Sequence, residues 1–201
     1  EGKLSAAIKK INAAMAVDPK DINVIKELAM IYDLMGKESL SEPLYHEIIE
    51  MAPDQAASHN SLGLNYMVRG EYAEAALSFL HALALDKDSL RIKNNLASAY
   101  LLNGDKEKAL EIFKGTVGEA EAYNNIGYLL MTQGRFDEAG RALHKAMAIN
   151  PRYYVRAQEN LDKLQEMRHA EQALSPYTLI THLTYPMRER FVFPFRFILC
   201  L

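Results

Sequence analysis

Leu28-Ala29-Met30-Ile31-Tyr32-Asp33-Leu34-Met35-Gly36 returns 34 residues later as Leu62-Gly63-Leu64-Asn65-Tyr66-Met67-Val68-Arg69-Gly70, and again as Leu96-Ala97-Ser98-Ala99-Tyr100-Leu101-Leu102-Asn103-Gly104. Three features survive each copy: a leucine followed by a small residue, a tyrosine, and a glycine four residues after it. A small position follows each glycine (Ser41, Ala75, Ala109), and then an aromatic (Tyr45, Phe79, Phe113). A fourth copy carries Ile126-Gly127, Leu130 in place of the tyrosine, and Gly134. The small residue lets a second helix approach closely, and the larger one four positions before the tyrosine shares its face. The glycine ends the first helix, where positive φ costs least.

Aromatic, glycine, small, aromatic at this period resembles the tetratricopeptide repeat (TPR) family. The resemblance implies an all-α, right-handed superhelical solenoid of antiparallel helix pairs. Proline closes repeats at Pro19, Pro53 and Pro151, with Lys87 substituting in one unit. These marks divide residues 1–174 into a partial repeat (1–21), four repeats (22–55, 56–89, 90–119 and 120–153) and a capping helix (154–172). Ala7, Ile11 and Ala14 fall where a second helix places its packing residues. The chain is therefore expected to open inside a repeat whose first helix lies upstream.

Gly104 and Gly134 are 30 residues apart. The four missing residues fall around Gly115-Thr116-Val117-Gly118 and shorten the second helix or its outgoing turn. Two close glycines argue against a continuous helix there, and the deletion reads first as one tolerated in an outer turn and second as a local change in superhelical pitch.

Composition narrows the function. The chain has 201 residues, 49% of them hydrophobic and 24% charged, and a formal charge of −3. Charges of both signs are interspersed, as in Asp105-Lys106-Glu107-Lys108, so nucleic acid is not an expected partner. A single cysteine, Cys200, excludes an internal disulfide, and no CxxC or HExxH spacing offers a metal site. His46, His81 and His144 recur in second helices, and His59 takes an aromatic slot before Leu62. Their placement follows the repeat and not a nucleophile, so no catalytic residue, metal or cofactor is expected, and the chain is read as a non-enzyme.

The family resemblance implies a concave groove lined by positions two, five, nine, twelve and thirteen of the first helices. Counting from Ile22, Ala56, Leu90 and Ala120 gives twenty positions, with Asp33, Leu34, Val68, Leu102 and Thr132 among them, and from these the candidate peptide-binding set is Lys26, Met30, Asn60, Leu64, Met67, Arg91, Asn94, Ser98, Leu101, Asn124, Tyr128 and Met131. Position five reads Lys, Asn, Asn, Asn. A row of amides offers donors and acceptors to the backbone of an extended peptide. The same asparagines, with Asn95 and Asn125 beside them, are equally placed to tie adjacent repeats together. The set departs from the carboxylate clamp of chaperone-tail adaptors, because Met30, Ser61 and Asn95 stand at three of its polar positions.

After Pro151, Ala157, Leu161, Leu164 and Met167 keep helical spacing, while Glu159, Asp162, Lys163 and Glu166 give the capping helix a polar outer face. Residues 175–201 read as an irregular hydrophobic tail, interrupted by Pro176, Pro186 and Pro194, with Phe191, Phe193, Phe195 and Phe197 alternating. Its last residues are too few to span a membrane, and the tail reads as a segment that docks against the apolar solenoid surface, as a route to self-association, or as a non-native extension.

Glu119 through Leu161, with Tyr123-Asn124-Asn125-Ile126-Gly127-Tyr128-Leu129-Leu130-Met131 at its centre, resembles the TPR lipoproteins of tight-adherence (Flp) pilus assembly. That resemblance implies a periplasmic or outer-membrane-associated scaffold for pilus or secretion assembly. The alternative is a soluble, cytoplasmic adaptor or chaperone for an extended partner segment.

Overall fold

The structure is a computed structural model that describes residues 2–150 and 154–181. Ten α-helices and no strands occur among the described residues. Four of them are first helices: α2 (Ile22–Leu34), α4 (Ala56–Arg69), α6 (Leu90–Leu102) and α8 (Glu119–Thr132). Each is followed by a second helix: α3 (Glu38–Met51), α5 (Tyr72–Leu85), α7 (Lys106–Val117) and α9 (Phe136–Ile149). Before them lies α1 (Gly2–Val17), and after them α10 (Tyr154–Thr181). The helix starts keep the period read from the sequence until α7.

Two compact units divide the chain, Glu1–Ala99 and Tyr100–Leu201. In the first, Ile25, Ala29, Tyr45, Ile48 and Leu62 form a buried cluster with Met15, Ile22, Leu44, Ile49 and Tyr66 packed on it. The Asp21 carboxylate caps α2 by accepting from the backbone N–H groups of Asn23 (2.9 Å) and Val24 (3.4 Å), satisfying two of the donors that a helix start leaves orphaned. The small residue of the repeat behaves as expected. A Cβ added at Gly63 would stand 2.5 Å from Cε1 of buried Phe79. In the second unit, Gly127 lies against Leu143 in the same way, its added Cβ 2.7 Å from Cγ.

Several expectations need correction. On α1, Ile11 is buried and Ala7 half-buried, but Ala14 is exposed and Met15 packs on the core instead. The helix turns by about 100° per residue, so one position moves the buried edge across the seam. Around the missing four residues, α7 runs unbroken through Gly115 to Val117. An exposed glycine costs a helix only about 1 kcal/mol, and packing absorbs it. The deletion is taken from the helix end and the turn, where the sequence places it. Gly118, at φ +87°, serves as C-cap of α7 and N-cap of α8 together, a conformation that disfavours side chains.

The capping helix is also longer than expected, since α10 continues past residue 172 and through Pro176 to Thr181. A proline removes its own N–H from the ladder and bends a helix without having to end it. Ala157, Leu161 and Leu164 are buried, and Glu159, Asp162, Lys163 and Glu166 are exposed. The alternating phenylalanines and the rest of the expected tail lie outside the described residues.

Candidate peptide-binding face

Position on the first helix determines which candidates a ligand can reach. At about 100° per residue, positions twelve and five lie roughly 20° apart, while nine and thirteen lie roughly 40° and 80° further round from five. The first pair points toward neighbouring helices and the second pair away from them. In the first unit, Asn60 and Met67 are accordingly 3% and 4% exposed. Met30 and Leu34 are 51% and 55% exposed, Val68 is 37% exposed, and Leu64 is half-buried. Lys26, Asn94 and Ser98 are half-buried and Arg91 is exposed. Ser98 Oγ donates to the Asn94 carbonyl at 2.9 Å.

The second unit presents less. Leu101, Asn124 and Met131 are buried, as are Leu102 and Thr132 at the thirteenth position, and Tyr128 is half-buried. Asn60, Met67, Leu101, Asn124 and Met131 are thus packing residues here, and not a lining open to a ligand.

The buried amides have partners in the next repeat. Asn95 Nδ2 donates to Asn60 Oδ1 at 3.0 Å, and Asn160 Nδ2 donates to Asn124 Oδ1 at 3.0 Å. Of the two sequence readings, bracing between repeats matches this geometry. An amide buried without a partner would cost about 1 to 3 kcal/mol, which is why the two asparagines of each pair occur together.

A second polar group occupies the junction of α2, α3 and α4. The Asp33 carboxylate accepts from Ser41 Oγ, from Tyr45 OH at 2.6 Å and from Asn65 Nδ2 at 3.2 Å. Asn65 Nδ2 also approaches Ser41 Oγ at 2.7 Å and the Glu38 carbonyl at 3.0 Å. Burial and then the Asp33 carboxylate push the Tyr45 hydroxyl far above its ordinary range, so it remains a donor. Sequence reasoning missed this group, although the signal was there. Asp33, Ser41 and Tyr45 stand where the next repeat has Met67, Ala75 and Phe79, three coordinated departures in one unit.

Of the four histidines that follow the repeat, three lie on the second helices α3, α5 and α9 and His59 lies on α4. His46, His81 and His144 are exposed, while His59 is half-buried, with Nε2 3.0 Å from the Pro53 carbonyl and its ring stacked on His81 at 5.7 Å. Among the described residues, no group of three or more His, Cys, Asp or Glu is placed to hold a metal ion. Among them, too, no helix is long and apolar enough to cross a membrane.

Family models described as tetratricopeptide repeat match residues 35–89 and 60–120 and residues 120–153. Among curated proteins, the TPR repeat-containing protein PA4299 of Pseudomonas aeruginosa is 30% identical over 152 residues, covering 72% of this chain and 59% of its own. The BBSome complex member BBS4 of Bos taurus is 24% identical over 185 residues, 90% of this chain and 35% of that protein. The chain therefore spans less than two thirds of either relative. Among solved structures, MamA superposes with a TM-score of 0.60 at 21% identity, covering 81% of this chain and 92% of that one. YrrB, described as "a TPR protein with an unusual peptide-binding site", superposes at 0.54 and 18% identity, covering 79% and 84%. These two likenesses concern the fold.

Proposed function

Because the chain belongs to the tetratricopeptide repeat family, we propose that it is a non-catalytic scaffold that holds an extended protein segment along its first helices. One observation carries this reading. Met30, Leu34 and Val68 are left exposed at two recurring positions of α2 and α4, with half-buried Leu64 beside them and Lys26 one turn before Met30. Neighbouring repeats thus present apolar contacts at a regular interval, which suits the alternating side chains of an extended peptide. The peptide-binding site of YrrB and the membership of BBS4 in a complex support the same class of role.

For its setting we propose pilus or secretion assembly at the cell envelope, in the periplasm or at the outer membrane. This finer reading rests on the resemblance of Glu119 through Leu161 to the Flp pilus lipoproteins.

Panning a displayed library of extended peptides against the chain would supply a ligand. Leu34→Glu and Met30→Glu are expected to weaken it tenfold or more with helicity unchanged, and undiminished affinity in both variants overturns the scaffold reading at this face. For the setting, a photocrosslinking residue at position 34 in the source cell should capture a pilus or secretion component. Capture of a component of another assembly removes the envelope proposal and leaves the scaffold.

A further inference from the structure

The outer face of α5 departs from that of every other second helix after α1. Ala73, Leu77, Leu80 and Ala84 are all exposed, with Leu77 and Leu80 at 60% and 40%. At the repeat positions of Ala73, Leu77 and Leu80, α3 carries Ser39, Pro43 and His46, α7 carries Glu107, Glu111 and Lys114, and α9 carries Asp137, Arg141 and His144, all exposed. The repeats thus supply their own control. Where the other second helices carry polar or charged residues, and one proline, α5 carries an apolar residue three times.

The spacing of four, three and four places these residues on one seam, as the core positions of a coiled coil are placed. Their order is small, large, large, small, which reads the same in both directions. We propose that α5 is a self-association surface on which two copies of the chain pair antiparallel, Leu77 of each against Leu80 of the other and Ala73 against Ala84. In that register the two leucine pairs fill the centre and the alanines allow close approach at the ends. The exposed Glu74 of each copy falls on the same flank as the exposed His81 of the other, a complementary pair repeated by the two-fold axis. The opposed helix dipoles agree with this direction.

Size sets the strength. A helix of 14 residues is about 21 Å long, and a contact one helix wide buries roughly 800 Å² or less in total, below the roughly 1,200 Å² at which stable interfaces begin. The pairing is therefore weak and reversible, of the transient kind that small interfaces form. It gives two bound segments a common, two-fold-related carrier, and it uses a helix face separate from Met30, Leu34 and Val68.

Sedimentation equilibrium on the full chain from about 10 μM to 1 mM tests this. The wild type should rise toward dimer mass, Leu77→Glu and Leu80→Lys should each stay monomeric with unchanged helicity, and Leu77→Ala should weaken association about tenfold. An equimolar mixture of Leu77→Glu with Leu80→Lys should associate again, because the antiparallel register brings the two substituted positions together with opposite charge and leaves one leucine pair intact. A wild-type chain that remains monomeric, its stripe then covered by another segment or another protein, overturns the proposal. So do single variants that associate like the wild type, or a mixture that fails to recover.

Discussion

Single residues decide how much of the first-helix surface is open. Asn60 lies at the boundary between a position facing a neighbour and one facing outward, and a rotation of about 40° separates it from Leu64. That is why the sequence left its role open between ligand contact and brace, whereas the small residue opposite a large one was legible from the repeat alone. With Asn95 as its partner, Asn60→Ala is expected to destabilise the chain by about 1 to 3 kcal/mol in urea unfolding while leaving ligand affinity per folded molecule unchanged. Ser58 carries the opposite expectation. Its hydroxyl is buried with no hydrogen-bond partner among the described residues, and Ala122 occupies the equivalent place two repeats on, so Ser58→Ala should raise the free energy of unfolding by about 1 kcal/mol. Gly63→Ala should cost about 1 to 3 kcal/mol by driving a methyl into Phe79, while Gly140→Ala, with open space at its Cβ inside α9, should stabilise by up to about 1 kcal/mol.

At the scale of helices, the legible part was what local chemistry dictates: paired helices, their turns, and the glycines at Gly36, Gly70, Gly104 and Gly134, all with positive φ. That four residues were lost at the end of α7 and its turn was legible from the two glycines, but the continuity of α7 through Gly115 was not, because it depends on packing that offsets the cost of one glycine. The shortened junction has its own electrostatic clasp, Lys114 Nζ to Glu119 Oε1 at 2.6 Å across Gly118. The hydrogen bond from Lys114, followed by its charge, lowers the Glu119 carboxyl below its ordinary value of 4.5. A depressed carboxyl adds stability above that ordinary value and loses it as pH falls through the depressed one. Glu119→Gln should therefore unfold more easily than the wild type at neutral pH, and urea curves for the two should converge on acidification. A difference that persists in strong acid would locate the effect elsewhere.

Across the whole chain, repeats that contact mainly their neighbours predict graded damage. In hydrogen exchange, Gly63→Ala should lower protection in α4 and α5 far more than in α8 and α9, and equal loss everywhere would indicate one all-or-none unit. A chain made of near-identical segments also faces a problem of addressing, since a second helix can settle beside a first helix of the wrong number and bury almost as much apolar surface. The carboxylate of Asp33 makes one junction unlike the rest. Another first helix offers alanine or leucine where α4 brings Asn65, as Ala99 and Leu129 do, and it would leave Asp33 and Ser41 without the amide donor that completes their group. That junction is a key cut for one lock, matched to α4 and to no other first helix among the described residues.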